Sequence, residues 1–444
     1  MAADALSWRL TPLQAMARWP DDIPLAALIS GDDSQWSRWT VLAIPGAWHT
    51  LSSTASRGDV SAWLRRLMRD SQGDGEMPGD GASILQLSYE LGAVFEPSTM
   101  ARAREPDAWP LAQAAPVVTA AVHDARSGRW FRVGGPHEAW PEIERAMKHE
   151  AEPRYFSMNQ LQPCQSDAHY ADMVTRTREF IRQGDLFQAN VARQWKAGGE
   201  GDPRAFAHAA LEQSHARYGA WLETPAGMIA SMSPELFLSV DRSGLVVTRP
   251  IKGTRPAGFR PDEFMACPKD AAELHMIVDL MRNDLSRACE PGSVHVAQPR
   301  IAESHETVLH GVAEIHGRLR RDRDLGDLIA TSFPPGSITG APKIRAMQVI
   351  RELEGFDRGP YCGAIGLLGG DGTLLLNVAI RSAQLKKSGG AWTLRYAAGC
   401  GITSDSIPDE EVAETHTKVA VLHQAMERLM SKAVALPAHA APGA

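Results

Sequence analysis

The chain has 444 residues, 44% of them hydrophobic, and its 46 basic and 53 acidic side chains give a net charge of −7. This length allows two or three domains or one large composite domain, and the acidic balance argues against a nucleic-acid partner, which would require a basic face. The sequence contains no membrane-spanning apolar run and no basic, apolar leader, and its five cysteines form no CxxC pair. We therefore expect a reduced, cytoplasmic, globular protein.

In the N-terminal third, runs of apolar and β-branched residues predict strands at 37–44 and 82–89. The Gly- and Asp-rich stretch 70–81 between them predicts a loop, because these residues favour turns. Residues 147–167 are polar and interrupted by prolines, which predicts a linker. A helical pattern follows over 168–183, so we expect a second region of the chain to begin close to this helix.

The last two-thirds of the chain carry clearer signals for strands. Residues 235–240 and 244–249 flank a polar turn and predict a hairpin. The runs 364–368, 373–380 and 392–398 predict three further strands, and a Gly-rich turn joins the first two of them. Because strand pairs are mixed with helices without regular βαβ alternation, the sequence predicts an α+β fold.

Three helices are predicted in the same region. The first begins near Pro268, and the last begins near Pro408, runs to about residue 431 and precedes a tail, 431–444, that we expect to be disordered. The middle helix begins near Ala341-Pro342 and ends at Gly355. Its apolar face is expected to contain Ile344, Met347, Ile350 and Leu353.

Two acidic pairs lie near the starts of the first and last of these helices. Asp270 and Glu273 are three residues apart, as are Glu411 and Glu414, so each pair lies on one helix face. Acids in a first turn commonly complement the helix dipole. Alternatively, the two faces meet around Mg²⁺, which prefers oxygen ligands and keeps several waters.

Further candidates have equally plain structural explanations. The Gly-rich loop 332–343 lacks the spacing of a nucleotide P-loop, so it is either a well-capped helix start or a small-anion site. Lys252 follows a strand and is either solvated or, if buried, a nucleophile. Arg381 and Tyr361 lie in or beside the C-terminal strands, where the arginine either extends to solvent or binds a carboxylate.

Several of these segments match one family together. The motifs include Pro-Ile-Lys-Gly-Thr-Arg-Pro at 250–256, Ser-Pro-Glu-Leu at 233–236, the stretch 276–285, the loop 332–343 and Gly-Cys-Gly-Ile at 399–402. With the final acidic helix, they make the chain similar to the chorismate-utilising enzymes over about residues 165–430. The resemblance implies an anthranilate-synthase-like α+β fold of two large packed β-sheets with helices outside. Residues 1–150 would be its N-terminal half and 165–430 its chorismate-binding catalytic region.

Three positions bear on the branch of the family. Gln188 stands where the isochorismate and salicylate synthases carry a water-activating lysine, which implies an amine nucleophile. Lys252 stands where anthranilate synthases have alanine, which is typical of the aminodeoxychorismate branch. The stretch 27–30 lacks the glutamate of tryptophan-regulated anthranilate synthases.

The resemblance also implies roles for individual residues. Lys252 would be the nucleophile and Glu235 the general acid for the departing hydroxyl. Glu273 and Glu414 would bind Mg²⁺ directly, with Asp270 and Glu411 reaching it through water or positioning its ligands. The residues expected to contact the substrate are Thr254, His310, Tyr361, Arg381, Gly399, Gly401 and Lys418.

The function that follows from the resemblance is Mg²⁺-dependent amination of chorismate at C4, through a Lys252 adduct, to 4-amino-4-deoxychorismate for 4-aminobenzoate and folate synthesis. The sequence has no recognisable glutaminase triad, so we expect ammonia to come from a separate glutaminase subunit. Two alternatives remain open: an anthranilate synthase component I, and a non-catalytic chorismate-binding regulatory scaffold.

Overall fold

The computed structural model describes residues 3–30, 34, 37–71, 77–99, 104–105, 107–305 and 308–434. The strands within these ranges, numbered in chain order, are β1 Asp4–Leu6, β2 Ala26–Ser30, β3 Trp39–Pro45, β4 His49–Thr50, β5 Ala82–Leu87, β6 Ala112–Asp124, β7 Arg129–Gly134, β8 Phe156–Met158, β9 Gln162–Pro163, β10 Gln188–Gly201, β11 Tyr218–Thr224, β12 Gly227–Ser233, β13 Leu236–Val240, β14 Leu245–Arg249, β15 Ile251–Pro256, β16 His295–Ser304, β17 Val308–Arg318, β18 Gly340–Ala341, β19 Ala364–Gly369, β20 Leu374–Asn377, β21 Ser382–Ser388 and β22 Ala391–Ile402.

The helices of the same ranges are α1 Pro12–Ala17, α2 Arg57–Asp70, α3 Gly92–Phe95, α4 Trp140–Ala146, α5 Asp167–Arg182, α6 Pro203–Ser214, α7 Pro261–Met265, α8 Pro268–Ser286, α9 Leu325–Ser332, α10 Lys343–Glu354 and α11 Pro408–Val434. Short 3₁₀ turns occur at Tyr89–Leu91, Pro97–Thr99 and Gly336–Ile338. None of the helices in the described part of the chain combines the length and the apolar character needed to span a bilayer.

The strands form two sheets in which neighbouring strands run antiparallel. The first sheet has the order β1-β7-β6-β3-β2-β11-β12-β21-β22-β10. The second has the order β6-β5-β19-β20-β13-β14-β17-β16, with β15 also paired to β17. This arrangement of antiparallel sheets and helices confirms the α+β prediction.

Strand β6 belongs to both sheets. Its residues 112–116 pair with β5 in the second sheet, and its residues 119–124 pair with β3 and β7 in the first. The N-terminal region also contributes β2, which pairs with β11, and β5, which pairs with β19. Strands from both ends of the sequence are therefore interleaved in each sheet.

Among the described residues, the core consists of three groups of buried apolar side chains. One group joins strands of both sheets through small residues such as Ala43, Ala120 and Ala220, which allow the two sheets to pack closely. A second lies between the first sheet and α1, α4, α6 and α11. The third lies between strands and α2, α5, α8, α9 and α10. Two packed sheets with helices outside are thus observed, as the resemblance implied.

Some sequence-based expectations were wrong in detail. The predicted linker 147–167 contains β8 and β9, which pair with β10, and Phe156 packs against Phe206 at a ring distance of 5.7 Å. Strand β21 was missed because its sequence is rich in Ser, Gln and Lys. Ile344, expected on the apolar face of α10, is 41% exposed in its first turn. Helix α11 continues to Val434, and residues 435–444 of the predicted tail lie outside the described part of the chain.

Candidate active site

Lys252 lies on β15, which follows the β13–β14 hairpin and pairs irregularly with β17. The close approach of these strands requires glycine at 311, where a Cβ atom would lie 2.5 Å from the Lys252 carbonyl oxygen. Burial lowers the pKa of the Lys252 amine, and the carboxylates of Glu273 and Glu235 oppose this shift. Desolvation favours the neutral amine, which is the nucleophilic form.

Glu235 lies in the link between β12 and β13 and is 3% exposed. Two hydrogen bonds fix its backbone. The Glu235 N–H donates to the Ser233 hydroxyl at 3.2 Å, and the Glu235 carbonyl oxygen accepts from the Val378 N–H at 3.0 Å. Burial raises the pKa of its carboxyl group to about 7, although the nearby Ser337 hydroxyl and the charge of Lys252 favour ionisation. A carboxyl group with this pKa can hold a proton near neutral pH and deliver it.

Gln188 is fully buried at the start of β10, and neither its amide oxygen nor its amide nitrogen has a hydrogen-bond partner within the described structure. A Cβ atom at Gly401 would overlap Gln188 Nε2 and would lie 3.0 Å from Lys252 Nζ. Gly401 therefore leaves open the space that the amide and the amine share. Buried amides are rarely left unpaired in this way, so this space is suited to a polar ligand.

Lys418, on α11, is held against β22. Its Nζ donates to the Gly399 carbonyl oxygen at 2.8 Å and lies 2.6 Å from Glu414 Oε1. Burial opposes its charge, but Cys400 and Glu414 outweigh this effect and raise the pKa of the lysine. The side chain therefore places a fixed ammonium group, paired with Glu414, beside the backbone of Gly399, and its role in binding a substrate carboxylate stays a prediction.

His310 and Thr254 face each other across β17 and β15, with 2.9 Å between His310 Nδ1 and Thr254 Oγ1. Burial, followed by the nearby charge of Arg381, lowers the pKa of His310 to about 3. The imidazole is therefore neutral at physiological pH. It can donate or accept a hydrogen bond, but it cannot serve as a cation.

Arg381 and Tyr361 lie at strained turns, and the charge of Arg381 acts on Glu235 and His310. Arg381 has φ +52° and Cys362, next to Tyr361, has φ +61°, and such non-glycine conformations concentrate at functional sites. Burial lowers the pKa of Arg381, while Tyr396 and Glu235 favour its charged form. Burial also raises the pKa of the Tyr361 phenol well above its ordinary value, so its hydroxyl remains a donor.

The four predicted acids occur in two different settings. Glu411 and Glu414 group with Cys400, and one potential ligand atom from each lies within 4.8 Å of the others. Burial raises the pKa of Glu273, and the carboxylates of Asp270 and Glu411 raise it further. Asp270 is instead paired with Arg255, with 2.9 Å between Asp270 Oδ2 and Arg255 Nη2.

The carboxylates of Glu273, Glu411 and Glu414 are the kind of ligand that Mg²⁺ prefers, and Glu414 is also paired with Lys418. Glu273 and Glu411 form no salt bridge within the described residues, and the effect of Glu411 on Glu273 is the repulsion that a cation relieves. Burial raises the pKa of the Cys400 thiol, so this sulfur is not ready to act as a thiolate ligand. Carboxylate oxygens beside a neutral thiol suit a hard cation better than a soft one.

The Gly-rich loop 332–343 has a structural role at its lysine. Lys343 Nζ lies 2.7 Å from Asp284 Oδ2 and donates to the carbonyl oxygens of Ser332 and Pro334, so it anchors the loop to α8. This observation favours the helix-start explanation over an anion site. The same loop contributes Ser337 to the surroundings of Glu235, a contact that sequence reasoning missed because it joins distant segments.

The comparisons with known proteins agree on the fold and differ on the reaction. The chain is 40% identical over 274 residues, 60% of its length, to anthranilate synthase component 1 1 of Haloarcula marismortui, and 38% identical over 269 residues, 58% of its length, to aminodeoxychorismate synthase component 1 of Klebsiella aerogenes. It spans 55% and 58% of these two relatives. The crystal structure of anthranilate synthase component I from Streptococcus pneumoniae TIGR4 is similar with a TM-score of 0.73 at 25% identity, over 95% of this chain and 99% of the other.

A family model described as chorismate binding enzyme matches residues 28–424. This match includes the second sheet, the first sheet except β1 and the start of β2, and the residues around Lys252, so it extends well beyond the predicted catalytic region into the N-terminal strands. The chain therefore belongs to the chorismate-binding enzymes.

Proposed function

We propose that this chain aminates chorismate at C4, with Mg²⁺ as cofactor and ammonia as co-substrate, to give 4-amino-4-deoxychorismate. The observation that carries the proposal is the desolvated amine of Lys252 in the electrostatic neighbourhood of the buried Glu235 carboxyl group. An ordinary lysine with a pKa of ~10.4 is neutral in about one molecule in 10³ at about pH 7.4, so the lowered pKa increases the nucleophilic fraction. The similarity to an aminodeoxychorismate synthase supports the same reaction.

In the first step, the neutral Lys252 amine attacks C2 of the ring. The C2–N bond forms, the two ring double bonds shift, and the C4–O bond breaks. Glu235 gives its proton to the departing hydroxyl, which leaves as water, because hydroxide is a poor leaving group. The raised pKa of Glu235 supports this role, since the carboxyl group holds a proton near neutral pH.

In the second step, ammonia attacks C4, the double bonds shift back, and the C2–N bond to lysine breaks. The Lys252 amine is regenerated as its neutral form, and the new ammonium at C4 returns a proton to Glu235. The sum of the two steps is chorismate plus ammonia to 4-amino-4-deoxychorismate plus water, and no oxidant or reductant is needed.

The remaining residues bind the substrate. Arg381 and Tyr361 offer hydrogen-bond donors for a carboxylate, and Lys418 offers a fixed charge beside Gly399. Glu273, Glu411 and Glu414 would hold Mg²⁺, which when bound supplies positive charge for a substrate carboxylate. The neutral His310 and its partner Thr254 would contact the ring side.

Anthranilate synthesis is the second candidate, and the relative named anthranilate synthase at 40% identity favours it. In that reaction ammonia itself attacks C2 and no lysine adduct forms. Lys252 is the residue that separates the two candidates. A protein that binds chorismate without consuming it is the third, and loss of chorismate over time distinguishes it from both enzymes.

Product identification tests the proposal directly. We expect the purified chain, given chorismate, Mg²⁺ and ammonium, to form 4-amino-4-deoxychorismate, whereas glutamine alone supports no turnover until a glutaminase subunit is added. Fluorescent anthranilate as the product would overturn the assignment. With ammonia withheld, quenched wild-type enzyme should carry a chorismate-derived mass on the peptide containing Lys252. The same peptide from Lys252→Ala should be unmodified, and an unmodified peptide from active wild-type enzyme would exclude the covalent step.

A further inference from the structure

Asp270 differs from the other acids of the site in its partners. Its Oδ2 accepts a hydrogen bond from Arg255 Nη2 at 2.9 Å and lies 3.7 Å from Arg300 Nη2. The Asp270 side chain is 14% exposed and that of Arg255 33%, so the carboxylate end of this ion pair is the better shielded from solvent. Both arginines also lie over the Phe264 ring, at 5.5 Å and 4.8 Å from its centroid, which restricts where the guanidinium groups can move.

The same carboxylate packs directly on the strand that carries Lys252. A Cβ atom at Gly253 would lie 2.8 Å from Asp270 Oδ2, and Gly253 has φ +81°, which side chains rarely adopt. Only glycine at 253 therefore permits the first turn of α8 to reach the backbone immediately after Lys252. The helix and the strand meet at this point.

Helix α8 also carries Glu273, one turn after Asp270 on the same face. Glu273 is one of the charged groups that surround the Lys252 amine. Any shift of α8 along β15 therefore changes the separation between Lys252 and Glu273. The Asp270–Arg255 pair joins these two elements where such a shift would occur.

We propose that Asp270 and Arg255 form a latch that fixes α8 against β15 and so positions Lys252 for attack, rather than serving the metal site. This inference rests on the proposed function in one respect, since it takes Lys252 as the nucleophile. Asp270 and Arg255 are positioning residues in this account, because each acts through Lys252 and neither contacts the substrate. Small displacements of a reacting atom reduce rates by about 10²-fold.

The test variants are Asp270→Asn and Arg255→Met. The control is a substitution in the exposed pair Arg260–Asp262 at the start of α7, in which Arg260 Nη2 lies 2.6 Å from Asp262 Oδ2. The rate of lysine-adduct formation is measured by quenched mass spectrometry without ammonia, together with the Mg²⁺ concentration for half-maximal rate. We expect each latch variant to be slower by about 10- to 100-fold with an unchanged Mg²⁺ requirement. The control Asp262→Asn should match the wild type.

Coupling between the two positions provides the second measurement. The double variant should be no slower than the slower single variant, because either change opens the latch. Arg255→Lys, which keeps the charge, should recover part of the rate, and an unchanged urea midpoint of unfolding in each variant shows that loss of rate is not loss of folding. If Asp270→Asn raises the Mg²⁺ requirement tenfold while Arg255→Met reacts like the wild type, Asp270 serves the metal and the latch is excluded.

The outcome also separates this inference from the proposed function. A wild-type enzyme that forms no adduct contradicts the covalent mechanism, and steady-state turnover with ammonium then replaces adduct formation as the readout. Turnover that is equal in wild type, Asp270→Asn and Arg255→Met would exclude the latch under either mechanism.

Discussion

Two groups of buried polar side chains have very different numbers of hydrogen-bond partners. In the first, Arg358 is 1% exposed and bonds both carboxylate oxygens of Glu354, the Ile338 carbonyl oxygen and the Asn190 carbonyl oxygen. Glu354 also accepts a hydrogen bond from the Ala192 N–H at 2.8 Å. In the second, Gln188 and one oxygen of Glu235 are buried without hydrogen-bond partners in the described structure.

The difference distinguishes scaffold from site. The Arg358–Glu354 pair has its polar partners within the protein, so its burial holds β10 and α10 together. The Gln188–Glu235 group is buried but incomplete, which costs free energy in the folded state unless a ligand completes it. Substitutions in the first group should therefore reduce stability, whereas substitutions in the second should reduce activity and spare or improve stability.

The largest effect is expected at Lys252. Lys252→Ala should lower turnover with ammonium by about 10⁴-fold, equivalent to ~5 kcal/mol of activation free energy, while the urea midpoint of unfolding stays the same or rises. Turnover falls because the nucleophile is lost. Stability does not fall because the variant no longer buries an amine away from water. Steady-state assays and urea titrations measure the two effects, and the exposed Lys387→Ala is the control. A variant that retains a tenth of wild-type turnover would contradict the role of Lys252.

Next in size is the scaffold pair. Arg358→Met should lower the free energy of unfolding by about 3–5 kcal/mol, because Glu354 is left buried without its cation. Urea unfolding followed by circular dichroism measures the loss. Arg358→Met combined with Glu354→Leu should be more stable than Arg358→Met alone, since no buried charge then remains. If the single change costs less than 1 kcal/mol, the pair is not a scaffold element.

Glu235→Gln should separate stability from activity through pH. The pKa of this carboxyl is 4.5 ordinarily and about 7 in the fold, so folding disfavours its ionised form. Burying Glu235 therefore does not lower the free energy of unfolding below pH 4.5, but it lowers it increasingly as the pH rises from 4.5 to about 7. Glu235→Gln should therefore raise the free energy of unfolding by about 3 kcal/mol at pH 8 and by little at pH 4.

The same group should limit the activity of the wild type at alkaline pH. Above pH 7 the protonated fraction of Glu235 falls about tenfold per pH unit, so kcat/KM should fall about tenfold per unit once the pH also exceeds the lowered pKa of Lys252. Glu410→Gln, an exposed substitution on α11, provides the control for both measurements. A stability gain that is equal at pH 4 and pH 8 would show that Glu235 does not titrate in this range.

The smallest effect is expected at Gln188. Gln188→Met removes two buried, unpaired amide atoms and should raise the free energy of unfolding by about 1 kcal/mol in the absence of substrate. Gln384→Met is the matched control. The Gln384 amide donates to the Arg358 carbonyl oxygen at 2.8 Å, so its removal should lower the free energy of unfolding. Chemical denaturation of both variants measures the contrast. Equal losses at the two positions would remove the distinction between scaffold and site.

The sequence predicted those parts of the fold whose signals are local. Helix α8 begins at Pro268 and α10 ends before Gly355, which has φ +71°, as the proline and glycine signals indicated. Strand β8 could not be predicted in the same way. Its order comes from pairing with β10 and from Phe156 packing on α6, and neither interaction leaves a periodic pattern in three residues.

The candidate site shows the same limit. Residue spacing put Asp270 and Glu273 on one helix face, and the structure agrees with this. It could not indicate that Asp270 turns to Arg255, because that contact depends on how β15 crosses α8. Cys400 was likewise missed as a neighbour of Glu411 and Glu414, since a lone cysteine in a strand carries no spacing signal.

The pairing of β5 with β19 has a consequence for how the protein is made. Residues 82–87 cannot pair with β19 until residues 364–369 have been synthesised. The roughly 280 residues that separate the two strands take about 14–56 s to synthesise at about 5–20 residues per second. Throughout that interval one edge of β5 presents free N–H and C=O groups that can pair with any exposed strand. A nascent chain thus needs protection of this edge for most of its synthesis, and a truncation in its last quarter exposes a strand edge that was made in its first.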